Sequence, residues 1–396
     1  MRILVFVTSL LLIYWLAEAL AHYFYLFKIE KRILVTGTRG KSSVCRLIAA
    51  GLNGGGIRAI AKTTGSATRI IMPDGSEQAL ARSGNATILE QCRVVKLAVA
   101  NKANALVIES MALRPQLQWV EAQRIIKPSI LVITNVGPDH LDVSGESLPE
   151  IAKTFCQAIP YKGVLFTREQ NNLAVLQKRA QYMDCQVQAI AEPDPAAGID
   201  YGEWSYIEHP ENIELALAVC EHIGVNRETA LAGMRKANPD IGALREIEAS
   251  LNGQKVKFIN GFAANDPEST QKLFDRYQEA ITGNRFILIL NLRDDRPHRS
   301  LQLLELVKSQ PRAALTILCG GDNRLLIKNK LQKHGFPAGS LVDFHKPAQV
   351  IAYLESTMHD GDLVMGIGNI TGAGIKLVNY FLSKGQTGAK GVELTV

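Results

Sequence analysis

The sequence has 396 residues, 47% apolar and 21% charged, with a formal net charge of +6. This length predicts two domains, and the positive charge favours anionic partners, but no dense Lys/Arg run with interleaved aromatic residues indicates a nucleic-acid partner. The six scattered cysteines form no C-x-x-C pair and are typical of core residues in a reducing compartment rather than of a disulfide framework or zinc site.

The first predicted element is an N-terminal helix over residues 3–27, which are apolar except at four positions. A helix of about 25 residues is about 37 Å long and can cross a ~30 Å hydrocarbon layer. More positive charges follow this segment (Lys28, Lys31 and Arg32) than precede it, which places the body in the cytoplasm.

Two other interpretations of this helix are open. It could be a secretory signal cleaved after Ala19-Leu20-Ala21, or an apolar helix buried against the body or a partner. We favour a retained single-pass anchor in the cell membrane, residues 1–27, because the segment that follows is typical of a nucleotide site and ATP is scarce outside the cell.

Next comes an apolar strand that leads into the Gly-rich turn T-G-T-R-G-K-S and then into a helix. Gly37 and Gly40 permit a tight turn whose amides face a polyphosphate, Lys41 can reach the outer phosphates, and Ser42 can bind Mg²⁺. The usual P-loop has glycine where Val35 stands, so this loop is a shorter variant. A chance Gly-Lys-Ser turn is the alternative, which the preceding strand disfavours. The predicted ATP contacts from this loop are Thr36, Gly37, Thr38, Arg39, Gly40, Lys41, Ser42 and Ser43.

Apolar runs then alternate with amphipathic stretches, which predicts an α/β fold with a mostly parallel sheet covered on both faces. Ligands of such sheets bind outside the carboxyl ends of the strands, where Glu109 and Asn135 fall. The predicted strands are residues 106–109, 130–134 and 163–167, and the predicted helices are residues 89–103 and 115–126.

A cluster of turn-forming residues at N-P-D-I-G, residues 238–242, predicts a domain boundary. We expect an ATP-binding domain over residues 28–240 and a second, Rossmann-like α/β domain over residues 241–396. Its predicted strands are residues 256–259, 286–291, 315–319 and 363–367. The Gly-rich stretch at residues 366–374 is equally consistent with phosphate binding and with a tight strand-to-helix turn.

The segment T-N-V-G-P-D-H-L-D-V begins at Thr134 and places Asp139, His140 and Asp142 within four positions. An imidazole beside carboxylates suits a metal site or acid–base chemistry, although a solvated turn with an incidental histidine is the alternative. Glu109 is costly to bury without a cation or hydrogen-bond partners. We therefore predict that Ser42, Glu109 and His140 bind one Mg²⁺ ion.

These patterns, in this order and spacing, resemble those of the Mur ligase superfamily of ATP-dependent amide ligases. The resemblance implies that Lys41 binds phosphate and that Ser42, Glu109 and His140 serve Mg²⁺. It also implies that Asn212, in H-P-E-N-I-E-L, lies near the adenine and that Arg245 contacts phosphate. The implied catalytic set is Lys41, Glu109, His140 and Arg245.

A closer resemblance, over nearly the whole length, is to the poly-γ-glutamate synthase ligase subunit (PgsB/CapB type). It covers the N-terminal apolar segment, Arg39 in the loop, and four short motifs. These motifs are K-T-T-G at residues 62–65, N-G-F-A-A-N-D at 260–266, N-x-R-x-D-R-x-x-R at 291–299, and G-x-G-N-I at 366–370. The family implies glutamate and its growing polymer as substrates, and small membrane subunits as partners in capsule or polymer synthesis.

The chain also departs from the peptidoglycan Mur ligases. Their UDP-substrate domain is not expected here, because too few residues precede Gly37, and Thr154 stands where they carry a carbamylated lysine, with Lys153 one position short. Leu215 replaces the second asparagine of the adenine motif. A second metal ion held by a modified lysine is therefore not expected.

The turn N-L-R-D-D-R-P-H-R places Arg293, Arg296 and Arg299 after a predicted strand. Arginine forks bind carboxylates bidentately, so these residues are candidates for gripping glutamate or the polymer, although a loop of mutually neutralised Arg and Asp is nearly as consistent with the pattern. Asn260 and Asn265 are further candidates for positioning nucleotide or substrate.

Together these patterns predict an ADP-forming acid–amino-acid ligase that uses ATP and Mg²⁺ to polymerise glutamate through an acyl phosphate. Two rivals are open: a ligase like folylpolyglutamate synthase, and a P-loop ATPase subunit of a membrane exporter. The sequence lacks the N-K-x-D base motif, which disfavours a switch GTPase.

Overall fold

The computed structural model describes residues 1–65, 68–80, 86–138, 141–191, 204, 206, 208–264, 267–293, 297–310 and 313–385. The chain divides into two compact units. The first unit comprises Met1–Glu203 and His209–Asn238, and the second comprises Trp204–Glu208 and Pro239–Val396. The boundary suggested by the sequence, at residue 240, lies close to this division.

The first unit is built on an eight-stranded sheet that is parallel apart from two strands at one edge. Its strands are β1 (Lys31–Thr36), β2 (Ala59–Thr63), β3 (Arg69–Ile71), β4 (Glu77–Ala79), β5 (Ala105–Glu109), β6 (Ile130–Ile133), β7 (Val164–Thr167) and β8 (Gln186–Ala189). They are ordered β4-β3-β2-β5-β1-β6-β7-β8. The carboxyl ends of the adjacent strands β5, β1 and β6 therefore meet at one edge, as the sequence predicts.

Helices cover this sheet and leave β5 fully buried. They are α1 (Arg2–Phe27), α2 (Lys41–Gly54), α3 (Glu90–Ala100), α4 (Pro115–Val120), α5 (Leu141–Ser144), α6 (Leu148–Phe155), α7 (Leu173–Tyr182), α8 (Pro210–Ile223) and α9 (Arg227–Met234). Helix α2 packs against α8 and α9, while α3 packs against α1 and the segment after α4. That segment, Glu121–Ile126, is π-helical, so the helix predicted over residues 115–126 changes its winding midway.

Helix α1 is long and apolar enough to cross a membrane, with a mean hydropathy of 2.2 over its most apolar window. Its last turns nevertheless belong to the body of the first unit. Leu26 is 3% exposed, and the Nε2 atom of His22 lies 2.8 Å from the carbonyl oxygen of Ile125. The guanidinium of Arg32 donates to the carbonyl oxygens of Leu26 and Ile29. Only the earlier part of the predicted anchor thus projects from the body.

The second unit contains a six-stranded sheet in the order β13-β12-β11-β14-β10-β9, with only β9 antiparallel to its neighbour. Its strands are β9 (Arg245–Leu251), β10 (Gln254–Asn260), β11 (Phe286–Leu292), β12 (Leu315–Gly320), β13 (Leu341–Phe344) and β14 (Asp362–Ile367). Its helices are α10 (Pro267–Arg276), α11 (Gln278–Gly283), α12 (Pro297–Ser309), α13 (Arg324–Lys333), α14 (Pro347–Thr357) and α15 (Ala373–Lys384). The four strands predicted here are confirmed, while β9 and β13 were not predicted.

Candidate active site

The Gly-rich loop between β1 and α2 has a backbone shape that admits only glycine at two positions. Gly37 has φ 128° and Gly40 has φ 80°, both in the left-handed region. A Cβ atom on Gly37 would lie 2.1 Å from Oγ1 of Thr134, and one on Gly40 would lie 2.6 Å from Oδ1 of Asn212. The loop is therefore packed tightly between the end of β6 and the start of α8.

The segment after β6 clamps this loop through backbone and side-chain hydrogen bonds. The amide of Thr38 donates to the carbonyl oxygen of Asn135 (3.1 Å), and the amide of Arg39 donates to Oδ1 of Asn135 (3.0 Å). Oγ1 of Thr134 donates to the carbonyl oxygen of Arg39 at 2.6 Å. The role of Thr134 and Asn135 in shaping the loop was not predicted from the sequence, where the histidine after this T-N-V-G segment was the candidate functional residue.

Helix α2 begins directly after the loop, with Gly40 as its N-cap. The helix offers no acceptor to its first-turn amides, those of Lys41, Ser42 and Ser43, and its dipole makes this end positive. Nζ of Lys41 donates to the carbonyl oxygens of Gly37 (2.7 Å) and Thr38 (3.0 Å), so the ammonium group lies against the loop. This arrangement is suited to an anion with several oxygen acceptors.

A hydroxyl–carboxylate pair lies beside the helix start. Oγ of Ser42 donates to Oε2 of Glu109 at 2.8 Å, and the amide of Thr64 donates to the same oxygen at 2.5 Å. Glu109 is only 3% exposed, at the end of β5, where it is in register with Val35 of β1. Two oxygen ligands beside an anion site suit a hard divalent cation. The structure thus brings Ser42 and Glu109 together, as predicted.

A buried lysine supports this pair from β2. Lys62 is 0% exposed, and its Nζ atom lies 3.4 Å from Oε2 of Glu90 and 3.4 Å from the sulfur of Met111. A buried charge requires such pairing. The ion pair fixes the end of β2, two residues before the Thr64 amide that contacts Glu109. The sequence signal for a buried, paired Lys62 is its place in the apolar run A-I-A-K-T. We noted the K-T-T-G motif but predicted no role for this lysine from it.

A second buried carboxyl group extends this polar region behind β5. Glu121 accepts hydrogen bonds from Oγ of Ser110 and, at 2.8 Å, from Nε2 of Gln91. Burial raises the pKa of Glu121, an effect that these hydrogen bonds oppose. Nε2 of Gln91 also lies 3.3 Å from the carbonyl oxygen of Glu109, so the network ties α3 to the end of the active-site strand.

A cavity of about 420 Å³ opens on the other side of the loop, within the ~300–1,000 Å³ range of small-molecule sites. It is lined by Arg39, Gly40, Thr134, Asn135, Arg168, His209, Glu211, Asn212 and Leu215. The predicted contact Asn212 thus lies between the loop and this cavity. Leu215, in the place of a second asparagine, is 1% exposed and also packs in the core.

In the second unit, Arg245 opens β9 and is opposite Asn260 at the end of β10. Nδ2 of Asn260 donates to the carbonyl oxygens of Ile241 (2.9 Å) and Ala243 (3.0 Å). Asn260 is fully buried, so in this structure it holds the segment that leads into β9.

The motifs of the second unit meet at one edge of its sheet. They follow β10, β14 and β11, which are adjacent and parallel. Nδ2 of Asn291 donates to the carbonyl oxygens of Asn369 and Thr371, and Nη1 of Arg293 lies 3.5 Å from Oδ1 of Asn369. Arg293 and Arg299 line a small cavity there with Asn291 and Asn369.

Four residues singled out in the sequence, Asp139, His140, Asn265 and Arg296, lie outside the described residues. Thr154, at the place of the modified lysine of Mur ligases, is 3% exposed and donates to the carbonyl oxygen of Ser144 at 2.8 Å. The neighbouring Lys153 is exposed. Thr154 therefore has a structural role between α5 and α6.

Comparison with known proteins defines the class first. The profile of the Mur ligase middle domain matches residues 35–239, which contain the loop, Glu109 and Asn212. The profile of the poly-gamma-glutamate synthase CapB C-terminal domain matches residues 247–384. The chain belongs to the Mur ligase family.

Within that class, relatives that align with nearly the whole chain identify the branch of the family. The chain is 33% identical over 388 residues to the capsule biosynthesis protein CapB of Bacillus anthracis, covering 97% of this chain and 83% of the relative. It is 32% identical over 383 residues to the PGA synthase CapB of Bacillus subtilis strain 168, covering 96% and 97%. The chain is a member of the CapB family.

Solved structures share the fold at low sequence identity. A folylpolyglutamate synthase/dihydrofolate synthase from Yersinia pestis, complexed with AMPPNP and Mn, superposes with a TM-score of 0.67 at 16% identity over 92% of both chains. The folylpolyglutamate synthase of Thermotoga maritima gives 0.67 at 16% identity over 98% of both chains. These matches confirm the predicted α/β fold.

Proposed function

We propose that this chain is a membrane-anchored, ADP-forming amide ligase that uses ATP and Mg²⁺ to polymerise glutamate through its γ-carboxyl groups. The observation that carries the proposal is the Ser42–Glu109 pair, 2.8 Å apart beside the Gly-rich loop. The names of the two CapB relatives, a PGA synthase and a capsule biosynthesis protein, support glutamate polymerisation.

ATP would lie across the Gly-rich loop in this proposal. The base and ribose would enter the cavity beside Asn135 and Asn212, and the phosphates would face the first turn of α2. Nζ of Lys41 would exchange its loop carbonyl acceptors for phosphate oxygens. Asn212 would then serve two purposes, contact with the nucleotide and support of Gly40.

Ser42 and Glu109 would hold Mg²⁺, which neutralises phosphate charge as a carboxylate approaches. No cluster of three or more His, Cys, Asp or Glu side chains that could hold a metal occurs in the part of the chain that the structure describes. Phosphate oxygens and water would complete the ligand set, together with His140 as the family resemblance implies. The amide of Thr64 keeps the Glu109 carboxylate oriented toward Ser42.

The proposed reaction has two steps. A carboxylate oxygen of the acceptor attacks the γ-phosphorus, so that the bond to the bridging oxygen breaks and ADP leaves. The amine of the incoming glutamate then attacks the acyl carbon, phosphate leaves, and the amine loses a proton. Lys41 stabilises charge on the transferred group in the first step. Arg245, Arg293 and Arg299, with Asn260 and the undescribed Asn265 and Arg296, remain our candidates for phosphate and carboxylate contacts.

Membranes that contain the chain and small membrane partner subunits should convert ATP to ADP and phosphate in step with labelled glutamate entering a polyanion. Transfer of the γ-phosphoryl group predicts ADP and not AMP. The measurement is nucleotide analysis beside polymer radioactivity. AMP with pyrophosphate would contradict the mechanism. Hydrolysis without polymer from any amino acid would favour the exporter ATPase, and product linked to a pteroate would favour the folate ligase.

Replacing Gly37 by alanine should weaken ATP binding at least tenfold, because the new Cβ atom would lie 2.1 Å from Oγ1 of Thr134 and distort the loop. Gly56→Ala is the matched control: Gly56 also has a positive φ (77°), but nothing lies within 4 Å of its Cβ position. Titration of a fluorescent ATP analogue measures both. Equal affinities for the two variants would show that the loop does not form the nucleotide site.

A further inference from the structure

The contacts of α1 within the first unit show at which edge of the sheet the free part of this helix emerges. Near its end, His22 contacts the carbonyl oxygen of Ile125, and Nζ of Lys127 lies 4.0 Å from the ring centroid of Tyr23. Ile125 and Lys127 directly precede β6, so they lie at the amino edge of the sheet. The last turns of α1 are therefore at the edge opposite to the Gly-rich loop.

Further back, α1 contacts α3, and Glu18 is close enough to Cys92, in the first turn of α3, to act on its thiol. Burial raises the pKa of the Cys92 thiol, and the Glu18 carboxylate raises it further. That first turn is at the carboxyl edge, because Glu90 pairs with Lys62 near the end of β2 and Gln91 contacts Glu109. Helix α1 thus runs in the same direction as α3, from the carboxyl edge to the amino edge, and the residues before Glu18 project past the edge that carries the loop and Glu109.

The projecting part is short for a membrane span. Residues 2–17 are apolar except for Arg2, Thr8 and Ser9, and exposure of the helix continues through residue 21. Sixteen helical residues extend about 24 Å, less than the ~30 Å hydrocarbon layer. A span this short leaves little chain between the bilayer and the body, which places the edge from which it emerges near the lipid surface.

That edge also exposes apolar side chains. Leu89, before α3, is 63% exposed, and Leu113 and Leu117, after β5, are 40% and 41% exposed. Arg114 stands among them and is exposed. Leucines with an interspersed cation suit the boundary between headgroups and acyl chains. We call Leu89, Leu113 and Leu117 the leucine rim.

We propose that the carboxyl edge of the first unit, which carries the Gly-rich loop and Glu109, faces the bilayer, with the leucine rim at the headgroup level. The inference rests on the proposed membrane anchoring, but not on the proposed chemistry. It places the active-site edge within reach of lipid and of membrane-embedded partners, so that a polymer would be made beside the membrane rather than in the open cytoplasm.

The test compares two labelled sites of equal exposure in the full chain, reconstituted in vesicles of phosphatidylcholine and phosphatidylglycerol. Leu89→Cys marks the rim, and Tyr161→Cys marks the opposite, amino edge before β7, since these residues are 63% and 65% exposed. Both are made with Cys92→Ser, because the other cysteines are buried. Each cysteine carries an environment-sensitive fluorophore, and lipids brominated near the headgroup act as the quencher.

We expect at least threefold stronger quenching at position 89 than at position 161, in protein that co-floats with the vesicles. Equal quenching, or stronger quenching at position 161, would overturn the proposed orientation. Protein that does not float would overturn the membrane span itself. Failure of ligase activity leaves this readout unchanged, because quenching depends on neither ATP nor glutamate, so the two proposals fail separately.

Discussion

Lys41→Ala is expected to lower ATP turnover by about 10²–10³-fold, the typical cost of removing one group that stabilises transition-state charge. The ammonium group lies against the loop, 2.7 Å from the carbonyl oxygen of Gly37, in position to meet a transferred phosphoryl group. The side chain is only partly buried and takes no part in the apolar core. Initial rates of ADP release in membranes with partner subunits measure the effect.

Lys96→Ala is the matched control for this variant. Lys96 is exposed on α3 and belongs to the same unit, so its loss should leave turnover unchanged. The midpoint of thermal unfolding should be the same for both variants and the parent. If Lys41→Ala retains full turnover, the Gly-rich loop is not the phosphoryl-transfer site.

Glu109→Gln should also lower turnover by about 10²–10³-fold and should raise the Mg²⁺ concentration needed for the half-maximal rate. Glutamine keeps an oxygen that can accept from Ser42 and from the Thr64 amide, so the local fold is retained while the negative charge is lost. A shift in the Mg²⁺ dependence separates loss of a metal ligand from simple loss of structure. A titration of rate against Mg²⁺ at saturating ATP provides the measurement.

Glu214→Gln serves as the control for charge removal, because Glu214 forms an ion pair with Arg227 at 2.7 Å on the α8–α9 side. That pair is partly exposed, and we expect little change in stability and none in Mg²⁺ dependence. An unchanged Mg²⁺ midpoint in Glu109→Gln would refute the assignment of Glu109 as a metal ligand, whatever its effect on the rate.

The second unit shows where local patterns carried less information. The hairpin of β9 and β10 turns at Asn252-Gly253, both with positive φ, and Asn-Gly is a strong hairpin signal. The strand predicted here began at residue 256, and β9 was not predicted. The strand β13 is short and only partly buried beyond its first residue, so its sequence has only a weak local preference for a strand. Its pairing with β12 is what makes this segment a strand.

The sequence by itself determined the Gly-rich loop, the mostly parallel character of the sheet around it, and the meeting of Ser42 with Glu109. These follow from short-range rules: glycine supplies the left-handed turn, a helix start supplies amides, and the carboxyl ends of neighbouring parallel strands share an edge. The apolar character of α1 is likewise a property of composition alone.

Only the tertiary structure decided what surrounds these parts. Lys62 and Glu90 form an ion pair across 28 positions of the chain, and Asn135 accepts a hydrogen bond from Arg39 across 96 positions. No local pattern encodes contacts between residues so far apart. The same holds for α1, whose last turns pack on α3 because Leu26 is buried there. Burial between distant segments thus attaches the end of the 26-residue apolar helix α1 to the rest of the first unit.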